Sequence, residues 1–101
     1  MKIAVPQNLS VNVRTLMQRA GYHVFRDPNT LNDSFVMRLG RSFYPRYHVY
    51  LHTTERGPLL DIHFDMKRAS YQGQRAHSGI YEGADIEEEV ARLKRWIAYF
   101  H

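Results

Sequence analysis

The hydrophobic positions change period along the chain. Leu9, Val13, Leu16, Met17 and Ala20 recur at helical spacing, so the first element predicted is an amphipathic helix. Asn8 or Ser10 is its expected N-cap, because a side-chain oxygen there can accept from a first-turn amide that has no helical partner. Gly21 follows the last stripe residue, where a left-handed C′ position costs glycine least. Arg14, Gln18 and Arg19 fall on the solvent side.

The period then drops to two. Tyr22 to Arg26 reads as a short strand, and Asp27-Pro28-Asn29-Thr30 as a turn. Phe35, Met37 and Leu39 alternate with Val36 and Arg38 in a second strand, which Gly40 ends. Arg41 to Pro45 is a connection. Tyr47, Val49 and Leu51 next alternate with His48, Tyr50 and His52. After Glu55-Arg56-Gly57-Pro58 the alternation resumes, with Leu60, Ile62, Phe64 and Met66 against Asp61, His63 and Asp65. Two such runs around a turn predict an antiparallel hairpin. Matching its apolar faces sets Leu51 opposite Leu60 and Val49 opposite Ile62, and a one-residue slip would send every apolar side chain to the wrong face.

Ser70 to Gly83, with its glycines and polar residues, reads as a long loop. A second helix is expected to start at Asp85 as N-cap, with Glu88 completing a capping box and Ile86, Val90, Leu93, Ile97 and Phe100 as the apolar stripe. Glu87, Glu88 and Glu89 suit the positive start of such a helix, and Lys94 and Arg95 its end. The acidic run is therefore read as helix electrostatics, not as a metal cluster. Trp96 is expected near the sheet edge. The fold class that follows is α+β: a two-layer domain in the order α-β-β-β(-β)-α, with both helices on one face of an antiparallel sheet and the other face open.

Composition narrows the classes. A chain of 101 residues fits one domain, and 44% hydrophobic with 24% charged residues is ordinary for a globular protein. The absence of cysteine excludes a disulfide scaffold, thiolate metal ligands and a thiol nucleophile. Lys2 to Pro6 lacks the apolar core of a signal peptide, and no apolar run nears the roughly 20 residues of a membrane span. A cytoplasmic protein without a membrane partner is expected. The net charge of +4 tilts the choice of partner toward acidic molecules such as nucleic acid.

Two groups of residues could carry chemistry. The hairpin register sets His48 opposite His63, Tyr50 opposite Asp61 and Arg46 opposite Asp65, with directly opposed Cβ atoms about 4.5–5.5 Å apart. His48, Asp61, His63 and Asp65 are thus expected to form one cluster, with His52 further along and His77 reaching it from the loop. Imidazole and carboxylate suit a divalent metal, Zn, Mn or Fe, on His48, His63, Asp65 and His77. The same four residues suit acid–base catalysis, since a carboxylate beside an imidazole fixes its tautomer. Polar residues are also what any solvated sheet face presents.

The second group is Arg38-Leu39-Gly40-Arg41-Ser42-Phe43-Tyr44-Pro45-Arg46-Tyr47, where arginines interleave with aromatics. Arg38, Arg41 and Arg46 suit phosphates, and Tyr44 and Tyr50 suit stacking on bases. Lys67, Arg68 and Arg75 would extend the basic surface. The bland alternative is a connection whose aromatics seal the core edge. The glycines of residues 72–79 lack the Gly-Lys-Ser/Thr ending of a phosphate loop, and Ser78 beside His77 is no triad.

Tyr44-Pro45-Arg46-Tyr47-His48, Asp61-Ile62-His63-Phe64-Asp65 and Ala76-His77-Ser78-Gly79 resemble small bacterial proteins of unknown function, a likeness that implies no activity. The order helix, sheet, helix is similar to double-stranded RNA-binding domains and to HicA-like toxin ribonucleases, in which a strand histidine cleaves RNA; residues 14–25 share the run from basic helix through Ala20-Gly21-Tyr22 into a strand. The toxins' Gly-Ser/Thr-His context is absent here. His63-Phe64-Asp65 is similar to the His-hydrophobic-His motif of nicking endonucleases, with Asp in place of the second His. Three functional readings follow: an RNA-binding module, a metal- or His-dependent hydrolase acting on a phosphodiester, and an accessory domain whose open sheet face binds a partner protein.

Overall fold

The computed structural model describes residues 1–26, 33–66 and 75–101, with residues 75–85 described by their backbone alone. Among the described residues, five antiparallel strands form one sheet in the order β1-β5-β4-β3-β2. They are β1 (Lys2–Ala4), β2 (His23–Arg26), β3 (Asp33–Arg38), β4 (Arg46–Thr54) and β5 (Gly57–Asp65), with α1 (Val13–Arg19) after β1 and α2 (Arg75–Phe100) closing the chain. The α+β order of the sequence reading holds, with β1 added ahead of it. Three residues are too few for a period of two to show, and β1 is placed by long-range pairing of Ile3 with Leu60. The turn at 27–30 lies outside the described residues.

The hairpin of β4 and β5 carries the register set by its apolar positions, with Leu51 opposite Leu60, Val49 opposite Ile62, His48 opposite His63, Tyr50 opposite Asp61 and Arg46 opposite Asp65. Its two-residue turn leaves Thr54 paired with Gly57, whose φ of 115° is a glycine conformation. Thr54 Oγ1 locks the turn by donating to the Gly57 carbonyl at 2.7 Å and accepting from the Arg56 amide at 3.2 Å.

One face of the sheet holds the core. Ile3, Phe35, Tyr47, Val49, Leu60 and Ile62 pack there against Leu16 and Met17 of α1 and Ile86, Val90, Leu93, Ile97 and Phe100 of α2. Val49 and Leu60 are wholly buried, and each such side chain contributes about 2 kcal/mol by its removal from water. Leu51, near the hairpin tip, remains 38% exposed.

Both helix starts correct the sequence reading. The cap of α1 is Asn12, which accepts from the Thr15 amide at 2.8 Å. Asn8 and Ser10 instead tie the chain ends together. Ser10 donates to the Phe100 carbonyl through its amide and its hydroxyl, each at 2.9 Å, and Asn8 Oδ1 lies 3.0 Å from His101 Nε2. The far end of α1 is closed as expected. Gly21 takes φ 103°, its amide bonds Gln18 and the Tyr22 amide bonds Met17, the paired bonds of a Schellman motif.

The second helix begins at Arg75, so Asp85 lies within it rather than at its start, and residues 75–83 are helix where a loop was expected. A glycine such as Gly79 or Gly83 costs a helix about 1 kcal/mol relative to alanine. Once the stripe from Ile86 to Phe100 is docked, however, elongation adds a hydrogen bond per residue without a new nucleus. Residues 70–74 lie outside the described residues. Glu87 to Glu89 are therefore mid-helix, and Glu89 is 5% exposed. Its carboxylate accepts from the Tyr22 hydroxyl at 2.5 Å and from Arg92 Nε and Nη2 at 2.8 Å each, so the buried charge is fully paired. Burial first, and then the hydrogen bond and charge of Glu89, push the Tyr22 hydroxyl well above its ordinary range. No described helix is long and apolar enough to cross a membrane.

Candidate functional site

Because side chains alternate across a strand, the face opposite the core carries Ser34 and Val36 of β3, Arg46, His48, Tyr50 and His52 of β4, and Asp61, His63 and Asp65 of β5. The expected single His/Asp cluster divides into two. In the first, His48 Nδ1 lies 3.2 Å from Asp65 Oδ2 and His48 Nε2 lies 2.7 Å from Ser34 Oγ. Arg46 Nε donates to the same Asp65 oxygen at 3.1 Å. A carboxylate can only accept, so the proton on that side of His48 sits on Nδ1. Burial would push the Asp65 carboxyl up, but the hydrogen bonds and charges of His48 and Arg46 outweigh it and hold the group below its ordinary value.

Ser34, His48 and Asp65 have the atom pairing of a hydrolase triad. Ser34 is nevertheless only 3% exposed, and its hydroxyl also bonds the Phe25 carbonyl at 3.1 Å. No substrate reaches that oxygen, and the three groups pin β3, β4 and β5 together. The sequence reading missed Ser34 because the register of β3 against β4 comes from long-range pairing.

The second group is exposed. Asp61 Oδ2 lies 3.4 Å from His63 Nε2 and 3.9 Å from His52 Nε2, and Asp61 Oδ1 lies 3.8 Å from the Met1 amine. Tyr50 links the two groups: its ring stacks on His48 at 4.3 Å and meets His63 edge-on at 5.2 Å. Phe25 meets His48 edge-on from the other side. Four rings thus cross the face, and about half of the His63 side chain and 40% of Tyr50 remain open to solvent. Among the described residues, no group of three or more His, Asp or Glu side chains is placed to hold a metal ion.

No family model, curated protein or solved structure matches this chain.

The residues of the arginine-aromatic stretch part company. Arg38 and Arg41 are exposed, and no ion pair to either is found among the described residues. Arg46 is buried, with its guanidinium carbon 4.4 Å from the Phe43 ring centre, 4.8 Å from Tyr44 and 5.3 Å from Phe25. In this conformation it offers nothing to an external phosphate, and Tyr44 turns its ring to Arg46. Arg38 lies over the other partner, Phe43, at 5.1 Å. A cavity of about 480 Å³ opens beside Phe43, walled by Phe25, Val36, Met37, Arg38 and His23. A second, of about 390 Å³, lies beside Tyr50, His63, Asp65 and Met1. His77 is on the backbone of α2 with its side chain outside the described residues, as is that of Arg75; Lys67 and Arg68 lie outside them altogether.

Proposed function

We propose that this domain binds single-stranded nucleic acid, RNA in the first instance, on the polar face of its sheet. The observation that carries the reading is the exposed ring row of Tyr50 and His63, flanked on β3 and the following connection by the exposed cations Arg38 and Arg41. A flat sheet face with exposed rings offers successive bases a stacking surface, and nearby guanidiniums take the phosphates between them. Rings buried in the core could not do this. Arg46 braces the platform indirectly, through Asp65 and His48, on which Tyr50 stacks.

The test is fluorescence anisotropy of a labelled single-stranded RNA titrated with protein over a salt series. Loss of one stacked base costs about 1–3 kcal/mol, so Tyr50→Ala should weaken binding roughly 5- to 150-fold. Affinity should fall with salt with a slope of about −0.7 per phosphate neutralised. Absence of binding at low salt, or affinity indifferent to salt, would remove the reading.

One observation favours a second reading, a His-dependent phosphodiesterase. His63 is half exposed, beside a cavity and backed by Asp61, the arrangement of a general base within reach of a bound ligand. His63→Ala should then abolish cleavage even at protein concentrations that saturate the RNA, whereas Tyr50→Ala at saturation should still cleave. Wild-type protein that binds RNA and leaves it intact would exclude this second reading alone.

A further inference from the structure

The cavity at the β2–β3 end of the sheet has features that the ring row does not explain. Phe25, Val36, Met37 and Phe43 give it apolar walls, while His23 and Arg38 supply the polar groups. Its volume of about 480 Å³ lies within the range of small-ligand sites, which are mostly apolar with a few placed polar groups. At Gly40, also in the wall, an added Cβ would meet nothing within 4 Å, so space continues past the backbone there.

Phe43 is 43% exposed although its ring lies between two guanidiniums, Arg38 at 5.1 Å and Arg46 at 4.4 Å. Arg46 is bound to Asp65 through Nε, and its buried Nη1 has no hydrogen-bond partner among the described residues. It stands behind the aromatic wall rather than in it: Phe43 lines the cavity and Arg46 packs on Phe43. The guanidinium thus sets a positive charge behind the Phe43 ring that lines the cavity.

We propose that this cavity is a mononucleotide subsite. It takes one nucleotide of the bound strand, with the base against the Phe25 and Phe43 rings and the phosphate on Arg38. Arg46, packed on the Phe43 ring, adds its positive charge behind that wall. The ligand chemistry follows from the walls: flat aromatic surface calls for a base, and two guanidiniums beside it call for the attached phosphate. A carboxylate would satisfy the arginines but leave the rings unused. The proposal rests on the nucleic-acid reading only for its source of nucleotide, because the subsite recognises a free nucleoside monophosphate by the same contacts.

The experiment is a titration of the ¹⁵N-labelled protein with adenosine and uridine 5′-monophosphates, followed by amide shifts, beside parallel titrations with the nucleosides and with inorganic phosphate. Saturable shifts at His23, Val24, Phe25, Val36 to Gly40 and Phe43 are expected. The nucleosides and phosphate should each bind at least ten-fold more weakly than the monophosphate. Arg38→Gln and Phe43→Ala, both at exposed positions, should each weaken the monophosphate at least five-fold, with unchanged spectra elsewhere reporting the fold. Monophosphate shifts confined to the Tyr50–His63 region, or none at millimolar ligand, would overturn the subsite. So would binding that neither variant weakens. If RNA binds and depends on Tyr50 while Phe43→Ala and Arg38→Gln leave its affinity unchanged, the subsite is wrong and the sheet-face reading stands. If the monophosphate binds here but RNA is not retained, the subsite stands and the sheet-face reading is wrong.

Discussion

Replacing Asp65 by alanine tests the ion-pair network under the polar face. Arg46 has a side chain only 7% exposed, and among the described residues its one hydrogen-bonded counterion is Asp65. Removing one partner of a buried pair leaves an uncompensated charge and costs about 3–5 kcal/mol. The Asp65 side chain is itself 31% exposed, so water reaches the vacated space and the low end, about 3 kcal/mol, is expected. The rings of Phe25, Phe43 and Tyr44 still face the guanidinium and moderate the loss. For a domain of this size that loss should lower Tm by roughly 12 °C or more. Urea denaturation followed by Trp96 fluorescence and by circular dichroism would measure it. The informative comparison adds Arg46→Met, which removes the stranded charge and should recover at least about 1 kcal/mol of the loss. A cost for Asp65→Ala below about 1 kcal/mol, or a further loss when Arg46→Met is added, would refute the view that Arg46 is a desolvated cation dependent on this carboxylate.

Acid should expose the same network. Because the folded Asp65 carboxyl titrates below its ordinary value, its contribution is complete above the unfolded value of about 3.9 and is lost as pH falls through the lower folded one. Asp65→Asn should flatten the urea midpoint between about pH 5 and pH 2.5, and an unchanged acid profile would contradict the assignment. Tyr22→Phe removes one donor from Glu89 while Arg92 keeps both of its bonds, so a loss of about 1 kcal/mol in urea is expected, against several for Glu89→Ala. Gly21→Ala should cost about 1–2 kcal/mol, because φ is 103° and the new Cβ would sit 3.2 Å from Met37 Sδ; a neutral result would mean that α1 ends differently.

The parts legible in the sequence are those written in local period. The hairpin is the clearest: two alternating runs of opposite phase admit one register that keeps Val49 and Ile62 together, and the pairings of the polar face follow automatically. Where each polar side chain turns is not periodic information. His48 and His63 are opposed as expected, yet His48 bonds Asp65 and Ser34 because Arg46 holds Asp65 and β3 supplies Ser34. The start of α1 differs because Leu9 packs on the core from the turns before the helix, continuing its apolar count without its hydrogen bonds. The start of α2 was misplaced because glycines read locally as loop, while docking of the remaining stripe is a tertiary effect. Glu89 did leave a signal. It stands three residues after Ile86 and four before Leu93, on the buried stripe, where an acidic residue needs a buried partner and Tyr22 provides one.

The short strand β1 has a practical consequence for anyone who handles the protein. Met1 pairs with Ile62 through both of its backbone groups, at 3.0 and 2.7 Å, and β1 runs antiparallel to β5. Residues added ahead of Met1 would be led along the β5 edge past His63, Phe64 and Asp65, toward the cavity that Met1 already lines. A purification tag at that end would extend the sheet and compete with a ligand for the face under study. The C-terminal end, where His101 lies against Asn8, is the place for it.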